Sequence, residues 1–447
     1  MIQEEAFVRI FSSSFWKKST KETLIEYEKH ELPIKPAFLK ELYFEVKHKK
    51  FTPNSPRNYV VFNKHNLVSR IVPCFHFREN CLYYFCVERI QENIAKNRVE
   101  GTYGGWTLNN PIKSREVEEI SRLTSTVSGI PFGTYTPYEW SEHWKDFQKR
   151  AFEWASDGDL QYFLKFDIAN FYDSINLNLL EAKIRHTVEK EQMFYVDLLF
   201  HFLHNWNRPI EGYYRKTVGL PQDEVGDSSR ILSNFYLQDF DLYMKKICDE
   251  NCSKYIRYSD DQIIMSQDAE TAKKILFLAS RELHKIGLNI NSSKVEQFTR
   301  DEYMQYWAFE TFADLHDPEN KLKINNGVET YFTRSNEGRK FRSDAVLKRI
   351  LSIGLGKIET FPRYKILSEL MNPEFLMNQD FWVFSRIATS IPERNDLFAS
   401  LDSLVEKVNF NSFLYNLLKF NKKFRPEFDN SLILKRIEET AILLLES

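Results

Sequence analysis

Two adjacent aspartates, Asp260-Asp261, sit between apolar runs, and a third, Asp167, ends a hydrophobic stretch about 90 residues earlier. Lys254 to Ser266 is apolar on both sides of Ser259-Asp260-Asp261, with Ile256 before and Ile263-Ile264-Met265 after, a pattern that predicts a tight hairpin. Tyr162 to Ile168 predicts a strand that carries Asp167 at its end. Carboxylates held this close repel each other and resist full ionisation unless a cation sits between them. Mg²⁺ suits that position, because it takes oxygen ligands from one or two carboxylates together with phosphate and water. Two such ions about 3.5–4 Å apart can activate an attacking hydroxyl and stabilise a leaving pyrophosphate. A lone Asp-Asp pair is more often a solvated turn. Here it comes with a strand-end aspartate, a Gly219-Leu220-Pro221-Gln222 turn between them and Lys294 after the last strand, and that combination favours the metal site.

The surrounding pattern is βα-β from Asp159 to about Ile290. Helices are predicted over Phe171 to Val188, Asp227 to Ile247 and Ala269 to Lys285, with Gly287 as a stop and a strand near Leu288-Asn289-Ile290. Upstream, Lys17 to Lys29 and Lys40 to Lys50 have helical periods, and Asn58 to Phe62 with Leu67 to Pro73 reads as a hairpin. Gly101, Gly104 and Gly105 mark a loop, as do Pro131, Gly133 and Pro137. Leu315 to Asn336 reads as a polar, exposed hairpin or loop. From Ser343 the chain is helical, broken by Pro362, Pro373 and Pro392.

Composition sets looser bounds. The 447 residues include only 14 glycines, which favours long helices, and no apolar run is long enough to span a bilayer. The acidic start, Met1 to Glu5, does not have the order of a signal peptide, and five sparse cysteines read as reduced thiols in a cytosol. With 61 Lys and Arg against 63 Asp and Glu, the net charge of −2 gives no global reason to expect a nucleic-acid partner. Any such surface must be a confined stripe.

The motifs resemble those of bacterial reverse transcriptases over roughly residues 60–300. Phe166-Asp167-Ile168-Ala169-Asn170-Phe171-Tyr172-Asp173-Ser174-Ile175 is similar to their first catalytic motif. Gly219-Leu220-Pro221-Gln222 with Ser229, Leu232 and Asn234 is similar to the second, and Arg257-Tyr258-Ser259-Asp260-Asp261 to the aromatic-x-Asp-Asp box. Gly287-Leu288-Asn289-Ile290-Asn291 with Lys294 resembles the motif that follows, and Arg70-Ile71-Val72-Pro73 the upstream fingers motif. One departure stands out. Asp223 occupies the place of the family's usual glycine after Pro-Gln, and the gap from Gln222 to Ser229 is long. An acidic residue there would meet a template nucleotide. Such departures resemble the defence-associated and abortive-infection reverse transcriptases rather than retrons or group II introns.

The resemblance implies an α+β right-hand polymerase with an N-terminal extension and fingers over 1–150. An RRM-like palm would follow over 151–310, with 175–218 as helices partly shared with the fingers, and then an all-helical thumb-like domain over 311–447. It implies that Asp167, Asp260 and Asp261, with the Ile168 carbonyl, hold two Mg²⁺ ions, Mn²⁺ being a substitute. Tyr172 would pack under the incoming sugar and exclude a 2′-hydroxyl. Lys294 would protonate the departing pyrophosphate, Arg70 and Lys64 would hold the triphosphate, and Gln222 would brace the nucleotide pocket. Taken alone, Tyr172 could equally be a core aromatic, and Lys294 and Arg70 solvated surface cations. Asp173 and Ser174 read as caps of the following helix. The partners implied are dNTPs, an RNA template that includes the option of a dedicated noncoding RNA, and a DNA product, with no membrane and with a homo-oligomer left open. Phage defence is the implied role.

Three competing readings remain at this point: protein-primed or template-independent DNA synthesis, an RNA-dependent RNA polymerase, and a non-catalytic nucleic-acid-binding scaffold. Tyr172 speaks against the second and the three aspartates against the third. Gly354-Leu355-Gly356-Lys357 lacks the spacing of a phosphate loop. Cys248 and Cys252 have no second pair at zinc spacing. Tyr103 and Trp106 read either as a base-stacking loop or as buried anchors.

Overall fold

The computed structural model describes all residues except 1–2, 22, 28–31, 65–67, 97, 107, 109–139, 208–218, 224, 339 and 447. The predicted loop at Pro131, Gly133 and Pro137 lies outside the described residues. The chain divides into two compact units, Met1–Asn58 with Pro73–Arg300, and Tyr59–Val72 with Asp301–Ser447.

Seven strands are present among the described residues: β1 (Asn58–Lys64), β2 (Val68–Cys74), β3 (Thr102–Tyr103), β4 (Tyr162–Phe166), β5 (Lys254–Tyr258), β6 (Asp261–Ser266) and β7 (Glu296–Thr299). The first unit is built on one sheet in the order β3-β5-β6-β4-β7. All its pairs are antiparallel except β3 with β5. Central β6 is buried from Gln262 to Ser266, so its Ile263-Ile264-Met265 run needs no polar alternation. Phe166 pairs with Gln262 and Tyr258 with Asp261, which brings the end of β4 beside the β5–β6 turn. The predicted hairpin forms as expected. The predicted strand at Leu288–Ile290 does not. Only a bridge from Ile290 to Ile168 forms there, and β7 pairs with β4 instead.

The helix Ala269–Lys285 shows why these residues are helical. Asp268 caps it by accepting the Thr271 N–H at 2.9 Å, and Gly287, at φ +80°, lets the chain turn away after it. Its buried face is Ala272, Ile275, Ala279 and Leu283, at helical spacing against β6 and β4. Ile275 and Leu283 each contribute about 1.5–3 kcal/mol by burial.

Two of the long predicted helices are split. The first divides into Phe171–Ser174 and Leu177–Thr187, because Asn176 is extended and caps the second piece through the Leu179 N–H. Asn176 therefore holds the capping role expected of Asp173 and Ser174. The second divides into Asp227–Tyr236 and Gln238–Glu250, where the Lys183 ammonium takes the carbonyls of Phe235 and Tyr236 at 3.5 and 2.9 Å.

The second unit contains most of the β1–β2 hairpin and a set of helices from Arg300 onward. The Asn411 side chain receives the Val61 N–H at 2.7 Å and donates to the Tyr59 carbonyl at 3.3 Å, which binds hairpin to helices. The stretch expected as a polar hairpin or loop contains a helix, Lys321–Asn336. Its buried residues Ile324, Gly327, Val328, Tyr331 and Arg334 keep helical spacing, but Asn325, Asn326, Glu329 and Thr330 between them mask the apolar signal. Pro362 does not break a helix either. It lies in the first turn of Thr360–Leu370, where no backbone N–H is needed.

Candidate active site

The site is assembled from the ends of β4 and β6 and three segments that hold them. Asp167 follows β4. The Asn291 N–H donates to its carbonyl at 2.8 Å, and the Ala169 N–H donates to Asn289 at 2.8 Å, so the Leu288–Asn291 segment fixes its backbone. Ile168 is buried beside it. The Asp167 carboxylate is buried as well. Its Oδ2 receives the Lys294 ammonium at 2.5 Å, and its Oδ1 has no hydrogen-bond partner.

Asp260 lies in the β5–β6 turn. Its carboxyl is pushed up to about 7, first by loss of solvent and then by the charges of Asp167 and Asp261. Asp261 is exposed and lies 3.8 Å from the Lys165 ammonium, which also approaches Glu296 at 3.5 Å. Among the described residues no group of three or more His, Cys, Asp or Glu side chains is arranged to hold a metal ion. The buried, unbonded Asp167 Oδ1 and the strained ionisation of Asp260 nonetheless fit a divalent cation, since only positive charge relieves both.

Tyr172 is half-buried at the same place. Desolvation, followed by the Asp260 charge, raises the pKa of its hydroxyl. Its carbonyl accepts the Leu220 N–H at 3.0 Å, so the Gly219-Leu220 turn docks onto it. Gly219 is obligatory in this contact, because a Cβ would come within 2.0 Å of the Tyr172 carbonyl oxygen.

These elements coincide with a sequence match. Residues 111–320 match the family described as reverse transcriptase (RNA-dependent DNA polymerase). This stretch, just under half of the chain, is similar to a reverse transcriptase domain. Such a domain is the nucleotidyltransferase unit of an RNA-directed DNA polymerase, and the fold is of the right-hand polymerase class. The reverse transcriptase family generally works with divalent metal ions. No curated protein matches the chain. Among solved structures, telomerase from Candida tropicalis in complex with a fragment of telomeric RNA is 13% identical with a TM-score of 0.35, over 90% of this chain and 65% of that one. The corresponding Candida albicans telomerase complex is 11% identical with a TM-score of 0.37, over 96% and 69%. The RNA-dependent RNA polymerase of a human picobirnavirus is 10% identical with a TM-score of 0.33, over 86% and 62%. The chain thus spans about two thirds of the length of the first of these.

The same site contains a support that the sequence did not single out. Arg257, fully buried in β5, donates to both carboxylate oxygens of Asp241 at 2.8 and 2.5 Å, to the Asn234 side chain at 2.6 Å and to the Ser259 carbonyl at 3.0 Å. Asn234 in turn donates to the carbonyls of Gly104 and Gly105. Gly104, at φ +110°, packs so tightly that a Cβ would lie 2.7 Å from the Ser259 nitrogen. Arg257 thereby grips the peptide just before Asp260. An arginine inside the apolar strand Lys-Tyr-Ile-Arg-Tyr was the available signal, since a buried guanidinium requires a carboxylate. Tyr103 and Trp106 are buried anchors, each 1% exposed.

Among the remaining expected site residues, Gln222 is half-buried in the loop after Pro221. Arg70, exposed on β2, and Lys64 on β1 belong to the second unit. Asp223 is turned into the protein. Its Oδ2 accepts the Gly226 N–H at 3.0 Å, its Oδ1 is buried without a partner, and burial pushes its carboxyl up to about 6. A carboxyl raised in the folded state stabilises the fold below its unfolded value, and that contribution is lost as pH rises through about 6. Asp223→Asn should therefore gain stability relative to wild type as pH rises from about 4 to about 7, with a constant advantage above that. Melting temperatures that change in parallel with pH would show that Asp223 does not carry the effect.

Proposed function

We propose that the protein is an RNA-directed DNA polymerase that adds deoxynucleotides to a primer or protein hydroxyl, with a noncoding RNA as template and phage defence as its setting. The observation that carries the polymerase reading is the meeting of Asp167, Asp260 and Tyr172 at adjacent strand ends inside the matched domain. The defence setting rests on the motif departures alone. Fingers over 1–150, palm over 151–310 and a thumb-like region over 311–447 remain our working division. No helix among the described residues is long and apolar enough to cross a membrane, and the five unpaired cysteines support a cytosolic setting.

Asp167, Asp260 and Asp261, with the Ile168 carbonyl, would hold the divalent ions, Mg²⁺ being our choice. When bound, these ions supply charge neutralisation and a more acidic attacking hydroxyl. Tyr172 would form the floor of the sugar pocket, and Lys294, which contacts Asp167, would give a proton to the leaving pyrophosphate. Arg70 and Lys64 are assigned to the triphosphate and Gln222 to the pocket wall.

Purified protein with Mg²⁺, an RNA template, a DNA primer and dNTPs should extend the primer and exclude ribonucleotides. Tyr172→Ala should raise ribonucleotide use relative to deoxynucleotide use by about tenfold or more, because discrimination by one ring against one hydroxyl is a steric effect of a few kcal/mol. Primer extension with competing nucleotides measures both, and a wild-type enzyme that accepts ribonucleotides equally would remove Tyr172 from the gate. Protein that makes DNA without added RNA would favour template-independent synthesis. The inward turn of the Asp223 carboxylate favours the templated reading, since it takes the charge out of a template's way.

A further inference from the structure

Arg230 lies one turn before Asn234 on the helix Asp227–Tyr236, and therefore on the same face of it. Asn234 donates to the carbonyls of Gly104 and Gly105, and the stem of Arg230 packs against Gly105 itself. The Arg230 Cβ and Cδ lie 3.6 and 3.7 Å from the point that a Gly105 Cβ would occupy. Gly104 in turn abuts the nitrogen of Ser259, the residue before Asp260. A single glycine pair thus separates Arg230 from the acidic turn. Burial, more than any other cause, raises the pKa of the Tyr172 and Tyr258 hydroxyls, and the positive charge of Arg230 opposes that rise at both. The guanidinium is within electrostatic reach of each ring.

Only part of this guanidinium is engaged. Its Nε donates to the Gly226 carbonyl at 3.1 Å and its Nη2 to Asp227. Its Nη1 has no hydrogen-bond partner among the described residues and keeps contact with solvent, in a side chain that is 28% exposed. A donor held at two edges and free at the third is oriented before its acceptor arrives, and a phosphate oxygen would complete it with a charge-assisted bond.

The Asp227 carboxylate that orients Arg230 is itself held from far away in the chain. It is buried, its Oδ1 receives Arg230, and its Oδ2 receives the ammonium of Lys18, 209 residues earlier. Lys18 belongs to the helix Ser13–Lys21, outside the stretch that matches the reverse transcriptase family, and Phe15 anchors that helix on Tyr84 with ring centroids 4.5 Å apart. One carboxylate shared by two cations leaves the trio with a net positive charge. Asp223 is near, but its Oδ2 accepts the Gly226 N–H and it makes no bond to Arg230.

We propose that Arg230 binds a phosphate group of the substrate complex through Nη1, and that Lys18 and Asp227 are its positioning residues, which makes the helix Ser13–Lys21 part of the active site. The inference rests on the polymerase reading. A brace for the helix start alone would be served by Lys18 and would not bring a second cation beside Tyr172. The phosphates of an incoming nucleotide and of a bound strand offer the same oxygens.

Binding without turnover tests this. The full chain is titrated in Ca²⁺ with dTTP by calorimetry and with a fluorescent RNA template–DNA primer duplex by anisotropy. Arg230→Gln should weaken one of the two by about tenfold or more. Lys18→Gln should weaken the same one severalfold, and Lys18→Arg should restore it. Loss of dTTP affinity assigns the phosphate to the incoming nucleotide and loss of duplex affinity assigns it to a strand, and either supports the site. Should Arg230→Gln fail to fold, Arg230→Lys keeps the charge, loses the forked donors and should still weaken binding severalfold. In primer extension with Mg²⁺, Lys18→Gln should raise the corresponding KM while kcat changes by less than about threefold. Three results would overturn the inference: no binding of either probe by the wild type, affinities of Arg230→Gln within about twofold of wild type for both probes, or a Lys18→Gln variant that melts earlier with its affinities intact. A wild type that binds the probes and never extends a primer removes the polymerase reading, and the Arg230 dependence of binding still decides this one.

Discussion

Asp260→Asn is expected to lower deoxynucleotide incorporation on the order of 10³-fold while the fold persists, the scale at which a preorganised electrostatic group acts on a transition state. The variant keeps the shape of the turn and the Arg257 grip on Ser259, but it cannot carry the negative charge that a divalent ion requires. It also relieves the desolvation and the repulsion that together hold the wild-type carboxyl near 7, so its thermal stability should equal or exceed that of wild type. The wild type should show a matching pH dependence. At limiting Mg²⁺, incorporation should rise between about pH 6 and pH 8 as Asp260 loses its proton, because cation and proton compete for one carboxylate. Steady-state primer extension over that range, alongside circular dichroism of the variant, measures both effects. Activity of Asp260→Asn above about a tenth of wild type would exclude Asp260 from the metal site.

The second large effect concerns a residue away from the reacting atoms. Asp241→Ala leaves the Arg257 guanidinium charged and unpaired in a site that is 0% exposed, and removing one partner of a buried ion pair costs about 3–5 kcal/mol. For a unit of this size the melting temperature should fall on the order of 10 °C. A double replacement, Arg257→Met with Asp241→Leu, removes both charges and should recover most of the stability. It should not recover incorporation, because the Ser259 carbonyl and Asn234 lose their shared donor and the Asp260 turn is released. Calorimetric melting together with primer extension separates the two roles. If the double variant regains both stability and activity, Arg257 serves packing alone.

The acidic cluster was legible because acidic residues beside apolar strands are costly and therefore informative. Asp167, Asp260 and the β5–β6 hairpin could be placed from hydrophobic runs and one turn. The Ala269–Lys285 helix was readable to the residue, since Asp268 and Gly287 mark both ends. The errors came where a side chain from elsewhere in the chain intervenes or where a helix carries polar residues within its buried stripe. Lys183 interrupts the Asp227–Glu250 helix by taking its carbonyls, and the apolar stripe of Lys321–Asn336 is masked by the polar residues interleaved with it. The near-zero net charge was equally uninformative, because a site of this kind needs a local arrangement of charge rather than a total.

By itself, the sequence pointed to a polymerase reaction class, since three aspartates accompany motifs that resemble those of reverse transcriptases. Tertiary structure decided the surroundings of those residues. It showed that Asp260 is pressed toward neutrality while Asp167 is held by Lys294, that the Asp223 carboxylate faces inward, and that Arg257 and Asp241 support the turn. The physical reason is that residue type and spacing are local properties of the chain. A carboxylate's charge depends on desolvation and on partners that only the folded chain brings within a few ångströms.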